Sequence, residues 1–281
     1  MALKAKCSLK SLLHQNRNCK KFVKAINQKA AALGMTSTRF VQPDGAGAKN
    51  KSTAEDLLLS VVAAYRNGII SSVWTSKEKT IFCKNKPGRP IILQSTLHSD
   101  SFNTKYKIIG GKTGSWAIPT KLVKATYNLS VVAEVNGRTL GAVIVNAVSD
   151  LERFSAMEEL LDIAAASLNG ESTEDKAISL AMGGAVCEIL PDSSRLIFSQ
   201  NGSLQILPAS LSKLVTLLVA CEHIEDINDE IKFCCSDMVG GSGNFFEKGD
   251  IITIEDAFYA ALLPSSNSAV HALSRTLGKK M

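Results

Sequence analysis

Ser210 and Lys213 stand three residues apart in ILPASLSKLVTLLVA, a stretch that begins at Ile206. Behind them Leu211, Leu214, Val215, Leu218 and Val219 have the i, i+3, i+4, i+7, i+8 spacing of a buried helix face. That spacing predicts Ser210 at the helix N-terminus, where backbone N–H groups are unpaired and the dipole is positive. It also turns the Lys213 side chain back onto the serine's face. A serine hydroxyl is a weak nucleophile until a base takes its proton, and a desolvated lysine can be that base. The S-x-x-K spacing alone is a weak signal. Ser76 and Lys79 also match it, in the charged segment SKEK with no apolar helix behind.

Two further clusters complete a possible site. Lys112, Thr113 and Gly114 form a single K-T-G, entering a predicted strand. A cation there suits a substrate carboxylate, and the glycine lets a ligand approach the strand backbone. Ser265, Ser266 and Asn267 lie in ALLPSSNSAVHAL, between one apolar helix and the next. A hydroxyl and an amide on such a corner can relay a proton and hold an acyl amide. S-x-N also occurs at Ser101, Ser167, Ser199 and Ser242, but context selects Ser265. Ser242–Gly243–Asn244 reads as a flexible loop instead.

The elements that must carry these clusters follow from periodicity and punctuation. A helix is expected from Lys20 to Leu33, stopped by Gly34. A second is capped by Ser52 or Thr53 and runs to about Tyr65. TIFC and PIILQ read as strands flanking a turn at Pro87 and Gly88, followed by YKIIGGKTGSW. TYNLSVVAEV and TLGAVIVNAV join at Asn136–Gly137, a strong hairpin signal. A helix over about Leu151–Leu168 precedes the polar segment NGESTEDK, residues 169–176. GAVCEIL and RLIFSQN form another hairpin around Pro191 and Asp192. IKFCC, a Gly/Ser-rich segment (GGSGNFFEKGD), the short strand IITI and the helices EDAFYAALL and NSAVHALSRTL close the chain.

Composition is that of a globular protein, 45% hydrophobic and 21% charged over 281 residues. No Asp or Glu precedes Asp44, whereas nine Lys and Arg do. Without interleaved aromatics that basic arm reads as a solvated tail and one helix face, not a nucleic-acid surface. Seven cysteines in no C-x-x-C pair give neither a zinc cage nor a disulfide framework. Cys187 and Cys221 read as small core residues. His14, His98, His223 and His271 have no ligand spacing and read as surface or helix residues. No apolar run is long enough for a transmembrane helix, and no signal-peptide apolar core is visible.

Together S-x-x-K, S-x-N and K-T-G are the active-site set of the penicillin-recognising serine enzymes. The chain resembles their low-molecular-weight D-alanyl-D-alanine carboxypeptidases in longer stretches too. These are FVKAINQKAAALGMTSTRFVQPDG with STAEDL, FFEKGDIITIEDAFYAALLPSSN and ILPASLSKLVT. The family runs S-x-x-K, S-x-N, K-T-G, whereas here Lys112 precedes Ser210 and Ser265. That order is expected of a circular permutation, with the family's last helix tied to its first strand through 169–176; a fragment of a tandem array would give it too. The resemblance implies an α+β, β-lactamase/transpeptidase-like fold: an antiparallel sheet flanked by helices plus a mostly helical lobe. The expected division is a basic tail over 1–18 and one permuted penicillin-binding domain over 19–281. Its helical lobe is mainly 19–75 and 211–281, and its α/β lobe mainly 76–210.

The resemblance also implies a serine D,D-carboxypeptidase that cleaves the terminal D-Ala of peptidoglycan stem peptides and is acylated by β-lactams. Ser210 would be nucleophile, Lys213 base and Ser265 relay. Asn267 would hold the acyl-side amide, and Lys112 and Thr113 the terminal carboxylate. Gly114 leads to Ser115, whose backbone N–H would share the oxyanion with that of Ser210. No metal or cofactor is implied. Ser268 and Ser266 depart from the aspartate and glycine common at those positions, and the family's extra C-terminal domain and membrane anchor have no counterpart. A periplasmic or extracellular location follows from the resemblance only. A β-lactamase or esterase on the same scaffold, and a non-catalytic binding domain, are the alternatives.

Overall fold

A computed structural model describes residues 9–97, 104–116 and 125–281, with side chains from Arg17 onward. His98 and the first eight residues of the expected basic tail lie outside the described residues. Helix α1 spans Leu9–Ala32. It starts eleven residues before the expected Lys20, because LKSLLHQNRN contains no glycine or proline to stop a helix there. Gly34 ends the region with φ +82°, a conformation that suits glycine. Thr53 caps α2 (Ala54–Arg66) by accepting from Asp56 N at 3.1 Å. A further short helix, α3 (Gly68–Trp74), is capped by Asn67 and was not expected from periodicity.

Strands β1 (Glu78–Cys83) and β2 (Lys86–Gln94) form a separate antiparallel hairpin. Its turn is Lys84–Asn85; Pro87 and Gly88, expected at the turn, lie inside β2. The main sheet is fully antiparallel and consists of β3 (Lys107–Trp116), β4 (Thr126–Val135), β5 (Arg138–Ala147), β6 (Ala181–Ile189) and β7 (Ser194–Gln200), in that spatial order. The β4–β5 turn sits at Asn136 and Gly137, both at positive φ (49° and 73°), as a two-residue turn matched to strand twist requires.

Alternation along the strands makes the sheet two-faced. Val131, Ala133, Ala142, Ile144 and Val186 pack under α4 (Glu152–Leu168) with Phe154, Met157, Leu160 and Leu161. Val132, Val143, Val145 and Ala185 face the opposite way, into a core shared with α2 and α5 (Lys213–His223). Around α5 pack α1, α6 (Ile254–Leu262) and α7 (Asn267–Lys280). A small hairpin of β8 (Glu230–Lys232) and β9 (Ile251–Thr253) edges this helical region. The observed architecture is therefore an α+β, transpeptidase-like arrangement: an antiparallel five-stranded sheet between a single helix and a helical group. Cys187 is buried, but Cys221 is partly exposed at the end of α5 rather than in the core. Among the described residues no single helix is long and apolar enough to cross a membrane.

Candidate active site

The nucleophile candidate sits where the sheet meets the helical region. Ser210 lies in a 3-10 turn, Ala209–Ser212, and α5 begins at Lys213, one turn later than expected for Ser210. The chain reaches this turn along a braced path. Ile206 exchanges backbone hydrogen bonds with Ser52 at 3.0 and 2.9 Å. Asn128 of β4 donates to the carbonyls of Leu207 and Pro208 at 2.9 and 3.2 Å. Ala209 is held at φ +48°, a conformation that L-residues occupy at a cost and keep only where the surroundings enforce it. Gly114 allows β3 to lie against the same turn, since a Cβ there would meet Pro208 O at 3.1 Å and Leu211 N at 3.2 Å.

Lys213 is completely buried. Its Nζ lies 2.9 Å from Ser210 Oγ, 2.9 Å from Ser265 Oγ, 2.7 Å from Ser265 O and 2.7 Å from Asn267 Oδ1. The last two can only accept. A neutral amine has two N–H groups, which satisfy them and leave its lone pair facing two hydroxyls that can donate. Burial holds Lys213 far below the ordinary lysine range, at about 7, against an opposing pull from the Asp44 carboxylate. The geometry and the electrostatics are thus those that a general base working near neutrality would need.

The Ser265 corner is folded to present both its hydroxyl and its carbonyl to that amine, and it does so at φ +64°. Ser266 caps α7 by accepting from Ala269 N, while its hydroxyl donates to Gly243 O at 2.7 Å. Asn267 Nδ2 donates to Gly240 O at 3.0 Å, which fixes the amide with its oxygen toward Lys213. The Gly240–Gly243 loop, expected to be a loose segment, is instead packed on this corner. A Cβ on Gly243 would stand 2.5 Å from Ser266 Cα.

On the other wall, Lys112 is fully buried, its Nζ donating to Thr113 O at 2.9 Å, and the hydroxyls of Thr113 and Thr96 share a hydrogen bond of 2.7 Å. Burial, then the charges of Lys213 and Arg153, push Lys112 well below its usual range. Sequence reasoning passed over Arg153. From α4 its guanidinium donates to Ser115 Oγ at 2.8 Å and pairs with Asp150 at 3.0 Å, and Nε has no partner among the described residues. Three basic side chains, Lys112, Arg153 and Lys213, thus converge on the K-T-G strand, and an anionic group beside them would favour their protonated forms. Ser210, Ser115, Asn267, Asp44 and the Gly240–Ser242 loop line that cleft, about 300 Å³ in volume. A larger cavity of about 1030 Å³, lined by Tyr127, Asn146, Met182 and Leu207 among others, contains none of the site residues.

Three other contributors were also invisible in the sequence. Asn128 offers no local signal because its partners are 79 and 80 residues away. Asp44 has no site signal around it, and His271, expected at the surface or in a helix, lies in α7. Asp44 is buried, and His271 Nε2 pairs with Asp44 Oδ2 at 3.3 Å.

Comparison with known proteins finds similarity in part of the chain. Residues 14–149 match the family described as D-alanyl-D-alanine carboxypeptidase. The chain is similar to a D-alanyl-D-alanine endopeptidase of Pseudomonas aeruginosa, 40% identical over 93 residues, or 33% of this chain and 29% of that protein. It is also similar to a D-alanyl-D-alanine endopeptidase of Escherichia coli K12, 29% identical over 147 residues, or 52% of this chain and 45% of that protein. The matches therefore span less than half the length of either relative. No solved structure gave a significant match. Over residues 14–149, just under half of its length, the chain is thus similar to the D-alanyl-D-alanine carboxypeptidase family.

Proposed function

We propose that the chain is a serine peptidase acting on D-Ala-D-Ala peptides of peptidoglycan, and that it is acylated by β-lactams. The observation that carries this reading is the buried Lys213 amine, 2.9 Å from the hydroxyls of both Ser210 and Ser265. Lys213 takes the Ser210 proton as Oγ attacks the penultimate D-Ala carbonyl. The oxyanion is held by the backbone N–H groups of Ser210 and Ser115. Ser265 relays the proton from Lys213 to the leaving amine, the C–N bond breaks and the terminal residue departs. Water then hydrolyses the ester. Asn267 holds the acyl-side amide, while Lys112, Thr113 and Arg153 meet the carboxylate.

A carboxypeptidase fits the basic side chains gathered at the K-T-G strand, since its substrate ends in a carboxylate. The names of the two relatives favour a second reading, cleavage within a cross-link. Release of free D-Ala from a pentapeptide supports the first; cleavage of cross-linked dimers with intact pentapeptide supports the second. A fluorescent penicillin tests the shared chemistry. Stoichiometric, long-lived labelling that Ser210→Ala abolishes is the expected result. Rapid loss of label with turnover would indicate a β-lactamase, and no labelling at all a binding domain.

The proposal includes a single domain over 19–281 whose halves are permuted. Three observations support it: the order of the motifs, a family match confined to the part before 169–176, and the contact between Gly278 and Asn18.

A further inference from the structure

We propose that Asp44 and His271 form a buried ion pair that acts on the Ser210 chemistry from behind, bracing the nucleophile turn and setting the charge state of Lys213. The inference rests on the reading of Ser210 and Lys213 as nucleophile and base. It makes Asp44 and His271 positioning residues that touch neither substrate nor leaving group.

The segment Pro43–Gly45 lies along the start of α5. Pro43 O accepts from Thr216 Oγ1 at 2.6 Å, and Gly45 packs against Ala209 and Ser212. Asp44, between these two anchors, lines the cleft, and its carboxylate acts electrostatically on Lys213. One carboxylate oxygen accepts from Ala46 N at 3.0 Å, and the other meets His271. His271 stands four residues after Asn267 on α7, on the same helix face. The helix that supplies the Asn267 contact to Lys213 therefore also supplies the counterion of Asp44.

The surroundings identify who acts on whom. Lys213 is faced by Asp44 from the loop after α1 and by Lys112 from β3, with Arg153 of α4 beyond Lys112. His271 is faced by Asp44 and, from α1, by Cys19. Burial opposes the charge on His271, but its bond to Asp44 raises it to about 9, so it is an imidazolium at neutral pH. The ordinary alternative is a structural ion pair that ties the loop to α7. Such a pair would affect stability without shifting the titration of Lys213 in opposite directions.

The test uses the full chain carrying ¹³C at lysine Cε. The Lys213 signal is assigned by its loss in Lys213→Arg and titrated by NMR. Asp44→Asn, nearly isosteric, removes the negative charge and should lower the Lys213 midpoint by roughly one unit. His271→Gln keeps a donor at the Nε2 position but leaves Asp44 unneutralised, and should raise the midpoint. Opposite shifts support the proposal. An unmoved midpoint in Asp44→Asn overturns it, as do shifts of the same sign in both variants. Should His271→Gln fail to fold, Asp44→Asn alone decides. A parent chain that takes no penicillin label would count against the peptidase reading, while the titration would still decide this one.

Discussion

Gly45→Ala probes how tightly the nucleophile turn is held. Gly45 sits at φ +76°, and a methyl group built on it would overlap Ala209 O and Ser212 Oγ and lie 2.8 Å from the Ala209 carbonyl carbon. That last separation alone is 0.6 Å short of an ordinary 3.4 Å contact, and the atoms that must yield are backbone atoms next to Ser210. The positive φ costs an alanine about 1–2 kcal/mol, and the overlap adds about 1–3 kcal/mol. A displacement of this size beside a reacting oxygen should slow acylation roughly ten- to a hundredfold. Gly137→Ala is the matched control: its φ is +73°, but a Cβ there meets nothing within 4 Å. It should lose about 1 kcal/mol in urea denaturation and acylate at the parental rate. The assay is the second-order rate of labelling by fluorescent penicillin, measured beside denaturation midpoints. Parental labelling by a folded Gly45→Ala would refute the view that the Asp44–Gly45 segment positions Ser210.

The same rate should depend on pH through Lys213. Acylation needs the neutral amine, so the rate should climb about tenfold per pH unit below about 7 and level off above it; a flat profile from pH 5 to 8 would remove Lys213 as the base. Asn128→Leu strips Leu207 O and Pro208 O of their donor and should cost about 1–3 kcal/mol, with acylation slowed as well. His271 makes a separate statement about stability. Its folded-state value is raised, so its contribution is complete below about 6.5 and lost as pH rises toward about 9. The stability advantage of the parent over His271→Gln should accordingly shrink by about 1.4 kcal/mol per pH unit across that window; an advantage that grows with pH would contradict the ion pair.

What the sequence disclosed and what it hid divide by the range of the interaction. Ser210 and Lys213 were legible because three residues along a helix start impose proximity. Asn136–Gly137 was legible because few residue pairs accept two positive φ values in succession. Arg153, Asn128 and the Asp44–His271 pair were not legible, because each acquires its role from partners supplied by tertiary packing. Asp44 and His271 are brought from opposite ends of the chain. Local signals also misled where two readings competed. Pro87 and Gly88 have turn composition, yet the hairpin closes at Lys84–Asn85 and leaves them in the strand. The glycines at 240–243 have the composition of a mobile loop, but here their lack of side chains is what lets the loop pack on Ser266 and Asn267.

The order of the three motifs bears on one last question, whether geometry or connectivity makes the site. The hydrogen bonds of Lys213 Nζ all go to the part of the chain after 176, while Asn128, Gly114, Arg153 and Asp44 come from the part before it. Apart from the polar segment 169–176, the two parts are joined only by non-covalent contacts, the β5–β6 ladder among them. At the other junction a Cβ on Gly278 would overlap Asn18 O, so α7 already runs beside α1 there. A chain rearranged as 177–281, a short glycine-serine linker and 19–168 should therefore regain the same fold. Closing the new loop costs entropy that grows only slowly with its length, and the opened segment carries no site residue. Penicillin labelling of the rearranged chain within a few-fold of the parental rate is the expected result. A soluble, folded rearrangement that takes no label would show that the observed order, and not the packing alone, assembles Lys213 with Ser210 and Ser265.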